Sequence, residues 1–439
     1  MLTPMKQVEL KKAGGLRGEL LLPPDKSISH RAIMLASIAK GKSKVRNFLR
    51  ADDPFSTMNA FRMLGIEILG EDSSEIIING KGLYGLKEPF DVIDCGNSGT
   101  TVRLISGILA GSPFFSTLTG DASLRQRPMA RVVAPLQAMG ANISGRSGDT
   151  RLPIAIKGVS LKALNYEMPV ASAQVKSCLI LAGLYADGVT SITEPYKSRD
   201  HTEKMLASMG AHIESGGSGR PIKIKGGTEL NALDITVPSD FSSAAFFLAA
   251  ALIVPGSEIM IKNVGVNATR TGLIDVIREM GATVKLLNGR EISGEPVADL
   301  YCKTAGLLKA VTITKEGIPR IIDEFPIICV LATQAEGITE IRGAEELRVK
   351  ESDRIKAMAS ELRKLGVEVE EFTDGIAIKG KKVLTGGSVD SHSDHRIAMS
   401  MAVAALVADG TTVIDNASCV DISFPGFFEQ LKNITGDRQ

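Results

Sequence analysis

The sequence predicts an α/β protein with helices inside and sheets outside, the inverse of a common α/β barrel. Three observations predict it. First, six near-continuous apolar segments recur, each with a polar start and a glycine behind it: PPDKSISHRAIMLASIAKG (23–41), CGNSGTTVRLISGILAG (95–111), ASAQVKSCLILAGLYADG (171–188), PSDFSSAAFFLAAALIVPG (238–256), DEFPIICVLATQAEG (323–337) and SDHRIAMSMAVAALVADG (393–410). Second, a Leu/Met-Gly step followed by a strand-like run recurs five times: MLGIEI, AMGANI, SMGAHI, EMGATV and KLGVEV. Third, the six segments are apolar nearly all round, so they belong in an interior. At about three to four turns they are too short to span a bilayer.

The two landmarks keep one period. The closing glycines Gly41, Gly111, Gly188, Gly256, Gly337 and Gly410 are 68 to 81 residues apart, and Gly65, Gly140, Gly210, Gly281 and Gly366 are 70 to 85 apart. Two registers of one period indicate an internal repeat. Each unit reads as a buried helix stopped by glycine, a strand such as STLTG, SITEP, EIMIKNV or ITEIRG, an amphipathic helix, then one or two strands. The sixth unit lacks the second landmark and ends at FPGFFEQLKNI.

Composition narrows the function classes. The 439 residues allow two or more domains. A net charge of +1 gives no reason to expect nucleic acid or a membrane as partner, so any basic site is local. Five scattered cysteines, without a CxxC pair, point to a reducing compartment and away from a disulfide framework or a zinc site. The first residues have no apolar run of signal-peptide length, so a cytoplasmic protein is expected.

The polar starts carry the chemistry. A helix N-terminus offers free N–H groups and the positive end of a dipole, which together attract anions. Lys26, Ser27, Asn97, Ser98, Gly99, Ser172, Gln174, Asp323 and Arg396 stand at such starts. Capping alone would account for Ser172, Ser239 and Asp240, and is the favoured account of the last two. It does not account for Lys26, a poor choice there unless an anion arrives. Ser27 and Arg31, Gly99 and Arg103, and Lys350 and Arg354 are each four apart, so each pair shares a helical face. Arginine forks suit carboxylates and phosphates, so the expected substrate bears more than one such group. Acid–base candidates are Asp323, Glu324, Glu351 and Lys26, with simple ion pairing favoured for Glu324 and Asp353. No Walker loop, nucleotide-type GxGxxG or nucleophilic triad appears, so neither a nucleotide cofactor nor a metal is expected.

PDKSISHR, GNSGTTVR, RQRPM, SAQVKS, KSRDHTEKML, DEFP, RVKESDRI and SDHRIAM occur in the order found in the 5-enolpyruvylshikimate-3-phosphate synthase family, which the chain resembles over nearly its whole length. The resemblance implies the enolpyruvyl transferase fold: two lobes of three βαβαββ repeats each, one over 24–237, the other combining 1–23 with 238–439, and an active site in the interlobe cleft. It implies transfer of the enolpyruvyl group of phosphoenolpyruvate (PEP) to the 5-hydroxyl of shikimate 3-phosphate, without a cofactor. Lys26, Ser27, Arg31, Ser172, Ala173, Gln174, Ser198, Arg199, Asp323 and Lys350 would bind shikimate 3-phosphate. Lys26, Asn97, Gly99, Arg127, Gln174, Arg354 and Arg396 would bind PEP. Asp323 would take the hydroxyl proton, and Glu351 with Lys26 would protonate the PEP methylene carbon. A monomer that opens when free and closes on substrate, and that binds glyphosate at the PEP end beside Gly99, is expected.

Three positions depart from the most familiar bacterial pattern. Ala173 replaces a serine, Glu346 stands where many members have asparagine, and Ile422 takes the place of a PEP-side lysine. The SAQ and KSRDHTEKML segments are similar to the family's second class, in which Arg199 offers a phosphate contact. The alternative is UDP-N-acetylglucosamine enolpyruvyl transferase. That sister family usually carries Lys-Asn at Lys26-Ser27 and a loop cysteine where this chain has Ala122. RNA 3′-phosphate cyclase would need a histidine context that is missing, and a non-catalytic anion clamp makes no sense of Asp323 and Glu351.

Overall fold

The computed structural model describes residues 7–436, apart from Ser218, Lys381 and Lys382. The six apolar segments form the inner helices Lys26–Ile38, Gly99–Ala110, Ala173–Gly183, Phe241–Ile253, Phe325–Thr333 and His395–Ala405. Nearly every residue in them is buried, which the all-round apolar pattern dictates. They run from 9 to 13 residues, and the fifth is shorter than the expected three to four turns.

The closing glycines do a different job from the one expected. Only Gly111 caps its helix. Gly188, Gly337 and Gly410 follow two-residue strands after the helix has ended, at φ of 104°, 104° and 92°. They turn the chain into the next strand, through backbone angles that side chains resist. The second glycine series does cap helices. Asp52–Met63, Ala130–Ala138, His201–Ser208, Gly272–Glu279 and Arg354–Lys364 end in Leu or Met, then glycine at φ 83° to 93°. After each, the next amide bonds five residues back, as Ile66 does to the Phe61 carbonyl at 3.0 Å. This is a left-handed C-terminal cap repeated five times.

Contacts divide the chain into two compact units. One joins the chain up to Pro23 with Pro238–Arg290 and Pro296 onward, and the other joins Pro24–Val237 with Glu291–Glu295. Each unit holds three inner helices in its own hydrophobic core. The sheets share a plan, seen in Ile93–Asp94, which pairs parallel with Phe115–Thr119. That strand pairs antiparallel with Arg151–Lys157, whose other neighbour is Asn142–Gly145. The same order recurs in Asn165–Glu167, Val189–Thr193, Ile222–Lys225 and Ile213–Glu214, and in Thr312–Ile313, Ile338–Ile341, Gly375–Lys379 and Val369–Phe372.

Elsewhere the leading strand comes from a distant part of the chain. Asp234–Thr236 lies parallel to Lys40–Arg46, and Arg17–Leu21 lies parallel to Glu258–Gly265. Gln7–Lys11 pairs antiparallel with Thr411–Asp415 to complete the sixth unit. The layering, helices inside and sheets outside, follows the expectation. The sheets are separate, however, and do not close into a continuous barrel wall. Inner helices two and three meet at Gly107, where a Cβ would lie 2.2 Å from the Cys178 carbonyl oxygen. That contact lets the two helices pack closely midway along their lengths.

Candidate functional site

In the unit containing residues 24–237, hydrogen bonds tie the first turns of the three inner helices together. Asp25, Ser98 and Ser172 cap them, accepting from the amides of Ile28, Thr101 and Val175. Arg31, buried in the first helix, donates to Thr202 Oγ1 (2.7 Å), Ser177 Oγ of the third helix (2.9 Å) and the Ser27 carbonyl (3.0 Å). His30 Nδ1 reaches Thr57 Oγ1 at 2.6 Å, and Thr57 reaches Thr101 of the second helix at 2.6 Å. Burial, with Lys26 and Arg31 nearby, pushes His30 well below the usual histidine range, so it is a neutral spacer.

The second and third helices share a polar bridge. Arg103 Nη1 donates to Gln174 Oε1 (2.7 Å), and Gln174 Nε2 donates to Thr100 Oγ1 (3.1 Å). Arg127 Nη2 donates to Asn97 Oδ1 (2.7 Å), while Asn97 Nδ2 donates to Asp121 Oδ2 (2.6 Å). Gly99 makes this possible: its Cβ would sit 2.6 Å from Arg103 Nη1 and 3.1 Å from Arg127 Nη1. Ala173 opens the third helix beside Ser172 and offers only its backbone there. Ser198 is buried and Arg199 half-buried in the loop just before the helix His201–Ser208.

Lys26 departs from the sequence argument. Its ammonium already meets a carboxylate, Asp53 Oδ2, at 3.0 Å, supplied by the first turn of the next helix. An incoming anion is therefore not the only thing that makes a lysine tolerable at that position.

The other unit gathers the remaining candidates at the starts of two inner helices and one outer helix. Arg354 opens its outer helix with its side chain 1% exposed, facing three carboxylates: Glu351 Oε2 (2.6 Å), Asp394 Oδ2 (2.8 Å) and Asp323 Oδ1 (3.4 Å). Burial disfavours its charge, but Asp394, Glu351 and Asp323 outweigh that and raise it above the ordinary arginine value. Arg396, in the first turn of the sixth inner helix, meets Asp323 Oδ2 at 3.2 Å and the Asp323 carbonyl at 3.1 Å. Asp323 thus links the starts of helices five and six. Burial pushes the neighbouring Lys350 ammonium down to about 8, against the upward pull of Asp323 and Glu351.

Glu324 bonds the Ser242 hydroxyl, which also accepts from Arg270 at 2.8 Å. Asp353 behaves as foreseen, pairing with Arg348 at 2.7 Å, and it also caps its helix through the Lys356 amide. Ile422 ends the short helical turn Ala417–Ile422.

Sequence reasoning missed Asp53, Asp121, Asp394 and Glu194. Asp394 lay inside a quoted motif, and its capping of Arg396 was legible from its place before an apolar helix. Burial works to raise its carboxyl, but Arg354 prevails and holds it below the usual range. The others act across the fold and left no local signal. Among the described residues no cluster of His, Cys, Asp or Glu could hold a metal ion, and no helix is long and apolar enough to cross a membrane.

Comparison with known proteins gives a consistent picture. The family model described as EPSP synthase (3-phosphoshikimate 1-carboxyvinyltransferase) matches residues 10–431. A 3-phosphoshikimate 1-carboxyvinyltransferase of Thermodesulfovibrio yellowstonii is 57% identical over 424 residues, covering 96% of this chain and 98% of that protein. One from Geobacter metallireducens is 54% identical over 430 residues, covering 98% and 99%. The solved EPSP synthase of Acinetobacter baumannii superposes with a TM-score of 0.86 at 43% identity, covering 98% of both chains. The enolpyruvyl transferase NikO of Streptomyces tendae, at 17% identity, TM-score 0.76 and coverage of 97% and 96%, shares the fold.

Proposed function

The chain belongs to the EPSP synthase (3-phosphoshikimate 1-carboxyvinyltransferase) family, and from that premise we propose how its residues divide the work. The reaction moves the enolpyruvyl group of PEP to the 5-hydroxyl of shikimate 3-phosphate and releases phosphate. The observation that carries the division is the arrangement around Arg354, where two carboxylates suited to proton transfer, Asp323 and Glu351, flank one buried guanidinium.

Asp323, paired with Arg354 and Arg396, stays ionised and accepts the 5-hydroxyl proton. Glu351, with Lys26, donates a proton to the PEP methylene carbon. The adjacent carbon becomes cationic and the 5-oxygen attacks it. Return of a methyl proton to Glu351 and departure of phosphate then restore the double bond, now in an ether. Lys26, Asn97, Gly99, Arg127, Gln174, Arg354 and Arg396 receive PEP and the phosphate it leaves. Lys26, Ser27, Arg31, Ser172, Ala173, Gln174, Ser198, Arg199, Asp323 and Lys350 receive shikimate 3-phosphate. Both sets engage one pair of substrates.

No cofactor enters this scheme. A cytoplasmic location is the companion reading, supported by five cysteines without a disulfide, and a monomer is proposed with it. Glyphosate, a PEP mimic, is proposed to compete at the PEP set, where Gly99 lets the Arg103 and Arg127 guanidinium groups approach the helix start. The test is phosphate release from PEP: it should require shikimate 3-phosphate and ignore UDP-N-acetylglucosamine. Release with the nucleotide sugar instead would overturn the reading.

A further inference from the structure

The third inner helix carries a lysine that the reaction scheme does not use. Lys176 lies one turn into that helix, two residues beyond Gln174, with its side chain 0% exposed. Its ammonium reaches Glu203 Oε1 at 2.8 Å, Glu194 Oε1 at 3.1 Å and the Ser198 carbonyl at 3.2 Å. Glu194 uses its other oxygen on Ser198, accepting from the amide at 3.0 Å and from the hydroxyl at 2.6 Å. One buried cation therefore fixes the Ser198 loop relative to the Ser172–Gln174 turn, from both its carbonyl and its carboxylate partner.

The direction of one hydrogen bond matters. A serine hydroxyl has a single proton to donate. Here Ser198 gives it to Glu194, and a phosphate dianion has no proton to offer in return. Ser198 can serve a phosphate only by turning that proton away from Glu194. The carboxylate thus competes with the phosphate for Ser198 and also repels it. Lys176 offsets the repulsion and keeps the carboxylate in place.

We propose that Lys176 and Glu194 are positioning residues that set the preference of this enzyme for a phosphorylated over an unphosphorylated shikimate. The inference rests on the proposed assignment of Ser198 to shikimate 3-phosphate and of neighbouring Arg199 to its phosphate, and takes Ser198 to face that phosphate as well. Calorimetric binding of shikimate 3-phosphate and of shikimate to the full chain gives the preference as a ratio, which loss of active protein does not alter.

Ser198→Ala and Arg199→Ala test the underlying assignment: an unchanged ratio in both would remove the phosphate end from this loop. Lys176→Met should lower the ratio about tenfold, the scale of one charge-assisted hydrogen bond, with shikimate affinity unchanged. Glu194→Gln should raise the ratio, because a neutral amide releases the Ser198 proton more readily. Lys176→Met/Glu194→Gln should recover much of the loss. If Lys176→Met does not fold, Glu194→Gln alone decides. A ratio that stays put or falls in Glu194→Gln, or equal losses for both ligands in Lys176→Met, would overturn the proposal.

Discussion

Replacing Gly99 with alanine separates the site from the fold. The added Cβ would lie 2.6 Å from Arg103 Nη1, where a carbon and a nitrogen rest at about 3.5 Å, so the pair must part by about 0.9 Å. Arg103 Nη1 is held at 2.7 Å by Gln174 Oε1, and a shift of that size stretches this bond beyond useful length. Arg127 Nη1, 3.1 Å from the same point, must also give by a few tenths of an ångström, which strains its 2.7 Å bond to Asn97. Misplacing one charged hydrogen-bonding group costs about 1.5–3 kcal/mol, which raises the KM for PEP roughly tenfold to a hundredfold. The backbone does not object, since Gly99 begins a helix at ordinary φ and alanine there loses less chain entropy on folding. Steady-state kinetics with a melting curve form the assay: the KM for PEP and the glyphosate inhibition constant should rise, and the melting temperature should hold or increase. An unchanged KM for PEP would refute the claim that Arg127, and Gln174 held by Arg103, receive that substrate beside Gly99.

Asp323→Ala should reduce kcat by about a hundredfold or more while moving PEP binding much less, because it removes the proton acceptor; surviving turnover would refute that role. Lys350 gives a pH signature. Its ammonium titrates near 8 in the free protein, and an anion beside it favours the charged form, so shikimate 3-phosphate affinity should be flat below that pH and fall above it. Titration calorimetry across the range, with Lys350→Met as the flat control, checks this. Asp394→Asn strips a fully buried carboxylate from Arg354 and should cost about 3 kcal/mol in urea denaturation, softened if Glu351 and Asp323 compensate. Because the Asp394 carboxyl is held below its unfolded value, its contribution should be present at neutral pH and disappear as pH falls through the acid range. Small-angle scattering should change when shikimate 3-phosphate is added, since the set proposed to receive it draws residues from both units; an identical profile would count against that.

The local pattern was legible because it depends on near neighbours. All-round apolarity marked the inner helices, and the Leu/Met-Gly step marked five left-handed caps. Asp, Ser or Asn before an apolar run marked helix starts, and those starts proved to be where the charged candidates gather within each unit. The boundary glycines were misread because a glycine after a helix is locally ambiguous. It can cap the helix or turn the chain into a strand, and only the strand pairing of Ala186–Asp187 with Leu161–Lys162 shows which.

The sequence alone therefore determined the repeat, the inner and outer character of its helices, and the residue types available for anion chemistry. Tertiary structure decided the partners. Arg354 finds Asp394 at a separation of 40 residues, Lys176 finds Glu194 at 18, and Gln7 lies opposite Asp415 across almost the whole chain. Hydrophobic periodicity reports which face of an element is buried. It carries no information on which distant charge will share that burial, because this is set by how the helices pack once they are formed.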